Sequence, residues 1–245
     1  MITGKIIAIT GASRGLGREI AGQLVAQGAK VALLARQSDE LDALADRLGD
    51  AALAVPTDIS DVESVTNSFA AIADRFGRMD ALFNNAAFYY PVDFEHSPPD
   101  RIAQHFTTNV LGASWCMRAA LPLLRLAGGG DIVNISSVSV RIAPPMMGIY
   151  AASKAALETL STSLANELKK DDIRVTILRL GAIAGGTASA GWEPDITAQF
   201  IEAIKSAPRV GGTPVSAETM AGIAIDIIRL PREVRVNLID ASPAR

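Results

Sequence analysis

Along almost the whole chain, short apolar and β-branched runs alternate with segments of helical period, and this alternation restricts the fold more than any other feature. Strands are expected at residues 5–10, 30–35, 52–55, 81–83, 131–135, 173–178 and 234–239. Helices are expected at 15–27, 39–48, 62–76, 100–124 and 150–168. The strands are nearly continuous in apolar residues, which requires a sheet covered on both faces. Repeated strand-helix-strand units with right-handed crossovers then predict an α/β fold, a doubly wound parallel sheet of about seven strands with helices on both faces. Residues 1–245 read as a single domain, because no linker, low-complexity tract or solenoid repeat interrupts the pattern. The exception is 181–212, where Gly185-Gly186, Gly191 and Gly211-Gly212 frame Trp192 and a short helix. A connection of that length predicts a lid over 184–212.

Composition narrows the partners. Hydrophobic residues make up 49% and charged residues 20%, so a substantial core can form. Lys and Arg number 23 against 26 Asp and Glu, and a net charge of -3 supplies no field for nucleic acid or anionic membrane. Cys116 is the only cysteine, which excludes an intramolecular disulfide and a cysteine metal cluster and suits a reducing cytoplasm. The histidines are His96 and His105, too few for a histidine-rich metal site and expected in exposed or capping roles. Residues 1–10 lack the basic flank and cleavage site of a signal peptide, and no apolar run reaches the roughly 20 residues that span a bilayer. A cytoplasmic protein is expected.

The first strand runs into Thr10-Gly11-Ala12-Ser13-Arg14-Gly15-Leu16-Gly17 and then directly into a helix. Glycine lets backbone approach a pyrophosphate, and the helix N-terminus offers free N–H groups and a positive dipole end. Gly11, Ser13, Arg14, Gly15, Leu16 and Gly17 are therefore candidate dinucleotide contacts, and the sheet is predicted to be a Rossmann fold. An acid at the end of the second strand would hold the ribose 2′-hydroxyl of NAD, but the chain reads Leu34-Ala35-Arg36. Arg14 and Arg36 suit a 2′-phosphate instead, which predicts NADP(H); the alternative is two solvated arginines partnered by Asp39 and Glu40.

Tyr150 and Lys154 share one face of a helix, one turn apart, and a nearby cation can lower a phenol's pKa into a useful range. Residues 131–137 end a strand in Ser136-Ser137 at the edge where such sheets place ligands, and Ser137 lies 13 residues before Tyr150. With Asn84-Asn85-Ala86 after the fourth strand and Asn109 in the next helix, the chain resembles the short-chain dehydrogenase/reductase family over essentially its whole length. The resemblance implies that Tyr150 exchanges a proton with the substrate oxygen, that Lys154 lowers the Tyr150 pKa and binds nicotinamide ribose, and that Ser137 supports the developing oxyanion. It implies that Asn109 holds a water linking Lys154 to solvent, and that Asp58 and Ile59 contact adenine. A cap for Asp58 and a helix kink for Asn109 are the competing roles. Asn85, Ala86, Gly181 and the Ile183 backbone complete the implied cofactor contacts.

Two departures from the family pattern stand out. Asn84-Asn85-Ala86-Ala87 has alanine where glycine is usual, and Leu180-Gly181 replaces Pro-Gly, with Gly185 where a threonine is usual; Thr187 is the substitute hydroxyl. Phe88-Tyr89-Tyr90-Pro91, Met146-Met147 and Trp192 either line a cleft for an apolar or aromatic substrate or pack against the scaffold. The resemblance also implies a homodimer or homotetramer. The expected activity is interconversion of a small-molecule carbonyl and a secondary alcohol by hydride transfer. The competing functions are an NADP-binding regulator or scaffold without turnover, and an epimerase or dehydratase on the same fold.

Overall fold

The computed structural model describes residues 1–185, 189–205 and 213–244. Its main sheet comprises β1 (Ile6–Thr10), β2 (Lys30–Ala35), β3 (Ala52–Pro56), β4 (Ala81–Asn84), β5 (Gly130–Ser137), β6 (Ile173–Leu180) and, last in the chain, Leu238–Ala241. Between β6 and that strand lie β7 (Ile183–Ala184) and β8 (Val215–Ser216), a separate parallel pair, so the last strand is β9. The seven strands are parallel in the order β3-β2-β1-β4-β5-β6-β9.

Period-2 alternation divides each central strand between two cores. Ile7, Ile9, Val31 and Leu33 face one core, closed by Leu24 of α1 (Gly15–Ala26). Ala8, Ala32, Leu34 and Leu82 face the other, closed by Phe69 and Ile72 of α3 (Val62–Phe76). Both sides are dry, which is why the strands read as continuous apolar runs.

Local chemistry marks the helix ends. Ser38 accepts from the Leu41 amide to cap α2 (Asp39–Leu48), and Asp61 accepts from Glu63 and Ser64 to cap α3, whose end Gly77 closes at φ 74°. Both helices occupy the predicted residues. The predicted helix over 100–124 is instead α4 (Pro99–Phe106), a π-helical segment (Thr107–Gly112) and α5 (Ala113–Leu126). After β5 come α6 (Ser139–Ile142) and α7 (Gly148–Glu167), and after β7 comes α8 (Pro194–Ile204).

Two expectations are corrected at the C-terminal end. The helix α9 (Ala217–Arg229) was not anticipated; it buries Met220, Ala221, Ala224, Ile225 and Ile228 in the α1-side core. The last strand begins at Leu238 rather than 234, because side chains of β6 capture the preceding carbonyls. Buried Arg174 donates to Leu230, Pro231 and Val234, and Thr176 donates to Val236. Those carbonyls are thereby taken from strand pairing. No helix among the described residues is long and apolar enough to cross a membrane.

Candidate active site

The strands end around a cleft of about 1410 Å³. That exceeds the roughly 300–1,000 Å³ of a site for one small ligand, so it has room for two. Its wall includes Gly11, Ser13, Arg14, Gly15, Leu16, Arg36, Asp58, Ile59, Asn85, Ala86, Ser137, Tyr150, Lys154, Gly181 and Ile183. Of the predicted site residues, Gly17 and Asn109 lie behind it.

At the first edge the chain makes a cradle. Gly11 has φ +66°, and a Cβ there would stand 2.9 Å from the Ala86 Cα. A Cβ on Gly17 would stand 2.3 Å from the Gly11 carbonyl oxygen and 2.7 Å from Asn85 Nδ2. Gly17 is therefore needed for packing beneath the turn. Asn85 braces the same turn, its amide donating to the Thr10 and Gly11 carbonyls at 2.9 and 3.2 Å, while Thr10 Oγ1 accepts from the Asn85 and Ala86 backbone at 3.0 Å each. The amide nitrogen of Asn85 is thus occupied internally. Helix α1 starts above the cradle with no side-chain cap, leaving N–H groups for an anion.

Arg14 and Arg36 are exposed on the cleft wall, and neither forms an ion pair among the described residues. Asp39 and Glu40 stand in the first turn of α2 and pair with neither arginine. Asp58 both lines the cleft and caps its own turn, accepting from the Ser60 amide at 2.8 Å and hydroxyl at 2.6 Å. Ala87 takes no positive φ, so its backbone does not require the usual glycine. Gly185 offers no hydroxyl, and Thr187 lies outside the described residues. The cradle and the uncapped helix fit a dinucleotide, and both arginines present exposed guanidinium groups on the same wall.

The second edge brings Ser137, Tyr150 and Lys154 together. The Ser137 hydroxyl meets that of Ser139 at 3.0 Å and accepts from the Ser139 amide at 3.1 Å. Burial, reinforced by neighbouring Tyr89, holds the Tyr150 phenol above the ordinary tyrosine range, while a hydrogen bond with Ser137 pulls it down. Lys154 is 2% exposed, its Nζ donating to the Ile135 carbonyl at 2.8 Å and lying 5.9 Å from the Tyr150 ring centroid. Burial lowers its ammonium to about 8, against an opposing pull from Glu158. In this geometry Lys154 is not among the causes that shift Tyr150. Asn109 sits in the π-helical segment with its amide consumed, donating to the Phe88 carbonyl and Ser153 hydroxyl at 3.0 Å each and accepting from the Phe88 amide at 2.7 Å.

The aromatic expectations divide. Phe88, Tyr89 and Trp192 line the cleft. Tyr89 packs edge-on against Tyr150, ring centroids 4.9 Å apart, and its carbonyl accepts from Trp192 Nε1 at 2.9 Å. Tyr90 turns away to donate to Glu193 at 2.5 Å, and Met147 is buried at 1% exposure. His96 is exposed beside Asp93, but His105 is fully buried, its ring nitrogens 2.9 and 3.0 Å from the Arg101 and Tyr90 carbonyls. Helix α8, inside the predicted lid, brings Phe200, Ile201 and Ile204 to the cleft; residues 186–188 and 206–212 of that segment lie outside the described residues.

Glu158 and Arg179 were missed, and Ser136 was read only as the neighbour of Ser137. Glu158 accepts from Ser136 at 2.6 Å and from Arg179 at 2.8 and 2.6 Å. The available signals were an acid one turn after Lys154 and an arginine near the end of β6, flanked by Leu178 and Leu180.

Sheet order and the placement of the cleft at its carboxyl edge put the chain among the doubly wound α/β enzymes. A family model described as short chain dehydrogenase matches residues 5–194, and the chain belongs to that family, a family of oxidoreductases. It is 35% identical over 195 residues to an uncharacterized oxidoreductase of Methylorubrum extorquens, covering 78% of each chain. It is 32% identical over 185 residues to a sorbitol dehydrogenase of Cereibacter sphaeroides, covering 75% of this chain and 72% of that one. The structure of a 3-ketoacyl-(acyl-carrier-protein) reductase from Brucella melitensis complexed with NADH superposes with TM-score 0.86 at 26% identity, covering 100% of this chain and 99% of that one.

Proposed function

We propose that this chain is an NADP(H)-dependent oxidoreductase that interconverts a carbonyl and a secondary alcohol, with Tyr150 exchanging the proton. The carrying observation is that one cleft joins the glycine cradle to Ser137, Tyr150 and Lys154. The Brucella reductase holds NADH, so family membership leaves the choice of cofactor to the residues at the end of β2. Arg36 stands there without a competing acid at Ala35, and with Arg14 at the start of α1, neither in an ion pair among the described residues, it favours the 2′-phosphate.

When bound, the nicotinamide supplies or accepts the hydride. Tyr150 is the general acid in reduction, and a phenol held above its usual range stays protonated at neutral pH. Ser137 supports the substrate oxygen as negative charge develops. Lys154 contributes a positive charge beside the Tyr150 ring and a donor for the cofactor ribose. Asn109, with its amide locked, acts by holding the π-helical turn, whose backbone would carry the water joining Lys154 to solvent. Phe88, Tyr89, Ile142, Pro144, Trp192 and Phe200 give the substrate end an apolar, aromatic wall, which favours apolar or aromatic flanks on the carbonyl. Assembly as a homodimer or homotetramer belongs to the same reading, testable by light scattering.

The test is NADPH oxidation at neutral pH across a panel of alkyl and aryl ketones. The expected result is turnover on at least one apolar ketone, abolished by Tyr150→Phe. Firm NADPH binding without turnover on the whole panel would reject catalysis in favour of a regulator. Isomerisation or dehydration of a substrate without net NADPH consumption would assign an epimerase or dehydratase.

A further inference from the structure

Behind the reacting edge lies a buried charge that the proton-transfer scheme above does not use. Glu158, 8% exposed, stands one turn beyond Lys154 on α7. Its carboxylate receives three hydrogen bonds, one from Ser136 Oγ at 2.6 Å and two from Arg179, Nε at 2.8 Å and Nη2 at 2.6 Å. Ser136 is the neighbour of Ser137, and the carbonyl that accepts from Lys154 belongs to Ile135. The ammonium and the carboxylate are therefore tied to adjacent residues of β5. A bidentate guanidinium on β6 fixes the carboxylate from the opposite side.

We propose that Glu158 is a positioning residue for the reaction, a buried carboxylate that keeps Lys154 charged and ties the strand end bearing Ser137 to α7, with Arg179 as its anchoring counter-ion. The inference rests on the reading of Tyr150 and Lys154 as the reacting pair. An ammonium taken out of water tends to lose its proton, and an accepting carbonyl such as that of Ile135 and a nearby negative charge both oppose that loss. The titratable and charged groups about Lys154 among the described residues are these. Tyr150 and Glu158 lie on its own helix, Arg179 on β6, and beyond Arg179 stand Asp240 of β9 at 3.9 Å and Arg141 of α6, which pairs with Asp240 at 3.0 Å. Glu158 is the carboxylate that opposes the loss of the proton from Lys154. Asp240 faces the outer arginines instead. Arg179 prevents Glu158 from turning toward Lys154 in a closed ion pair, so Lys154 keeps its charge while its donor stays on Ile135.

This arrangement predicts opposite responses from its two members. Glu158→Gln keeps the shape but removes the carboxylate nearest Lys154 and leaves the Arg179 guanidinium only Asp240, at 3.9 Å, so Lys154 should titrate lower by at least about one unit. Arg179→Met leaves the carboxylate without its counter-ion, so Lys154 should titrate higher. The measurement is a ¹H–¹³C NMR titration of the full chain, labelled at lysine Cε and saturated with NADP⁺, with Lys154→Met assigning the signal. The alkaline limb of the reduction profile should move in the same two directions. A residue serving only as a brace would lower the rate in both variants without moving either titration, and that result, or shifts of the same sign, would overturn the proposal. If one variant fails to fold, the sign of the other still decides. Shifts of opposite sign with no turnover on any ketone would uphold the electrostatic pair and reject the reductase reading. Turnover abolished by Tyr150→Phe with an unmoved Lys154 titration would reject the pair alone.

Discussion

Lys154 and Glu158, one helical turn apart on α7, are fastened to consecutive residues of β5, the ammonium to the Ile135 carbonyl at 2.8 Å and the carboxylate to the Ser136 hydroxyl at 2.6 Å. The strand end that carries Ser137 and the helix that carries Tyr150 are thereby held in one register by two buried charged groups. Such groups have a stability cost as well as a chemical use.

For Lys154 the cost depends on pH. Its ammonium is lowered from 10.5 to about 8 by burial, so between those values the folded chain has released a proton that the unfolded chain retains. Stability therefore rises with pH across that window, and the destabilisation is fully present below pH 8. The gain should be on the order of 2–3 kcal/mol by pH 10. Urea denaturation of wild type and Lys154→Met from pH 7 to 10 should show the wild type gaining on the variant; parallel curves would contradict the buried ammonium. Above pH 10 the raised Tyr150 acts in the opposite sense, so the comparison ends there.

Tyr150→Phe removes the acid and keeps the ring. Single-turnover reduction at saturating NADPH should fall by about 10²–10⁴, with NADPH affinity and melting temperature close to wild type. Ser137→Ala should lower the same rate by about 10²–10³. Near wild-type single-turnover rates in Tyr150→Phe would move the acid to another group near Ser137.

Replacing Arg14 and Arg36 together by alanine should weaken NADP(H) at least tenfold and leave NAD(H) little changed, because a hydrogen bond to a charged group contributes about 1.5–3 kcal/mol. Calorimetric titration of both cofactors reads the difference. Equal losses would show that the arginines do not read the phosphate.

Two glycines on α1 make a matched pair. Gly17→Ala drives a methyl group into the Gly11 backbone and the Asn85 amide, whereas Gly22→Ala meets nothing within 4 Å. The first should lose about 1–3 kcal/mol of stability together with cofactor affinity. The second should gain up to about 1 kcal/mol from helix propensity. A neutral Gly17→Ala in thermal melts and NADPH titrations would remove the cradle argument.

Helix α8 is fastened to the reacting side by Trp192 on the Tyr89 carbonyl and by Glu193 on the Tyr90 hydroxyl and Arg101. Hydrogen exchange over Pro194–Ile204 should slow when NADP⁺ and an active substrate are added, as for a lid that closes on ligand. Glu193→Gln should reduce that protection. Identical exchange with and without ligands would make α8 a fixed wall of the cleft.

The sequence by itself determined what depends on local period and local chemistry. Continuous apolar strands could only form a sheet covered on both faces, the helical periods of 39–48 and 62–76 set the bounds of α2 and α3, and the spacing of four between Tyr150 and Lys154 placed them on one helix face. What the tertiary structure decided rests on strand order, which joins residues far apart in the chain. Arg174 and Thr176 of β6 occupy the Val234 and Val236 carbonyls, each 60 positions away, and the last strand starts beyond them at Leu238. Asn109 and Asn85 were read from the sequence as candidate site residues, but nothing local foretold the consumption of their amide nitrogens by Phe88, Ser153, Thr10 and Gly11. Helix α9 has an apolar face that only α1 and its core explain. The pairing of Glu158 with Arg179 spans 21 residues and exists because α7 packs over neighbouring β5 and β6, a juxtaposition set by folding topology rather than by any local pattern.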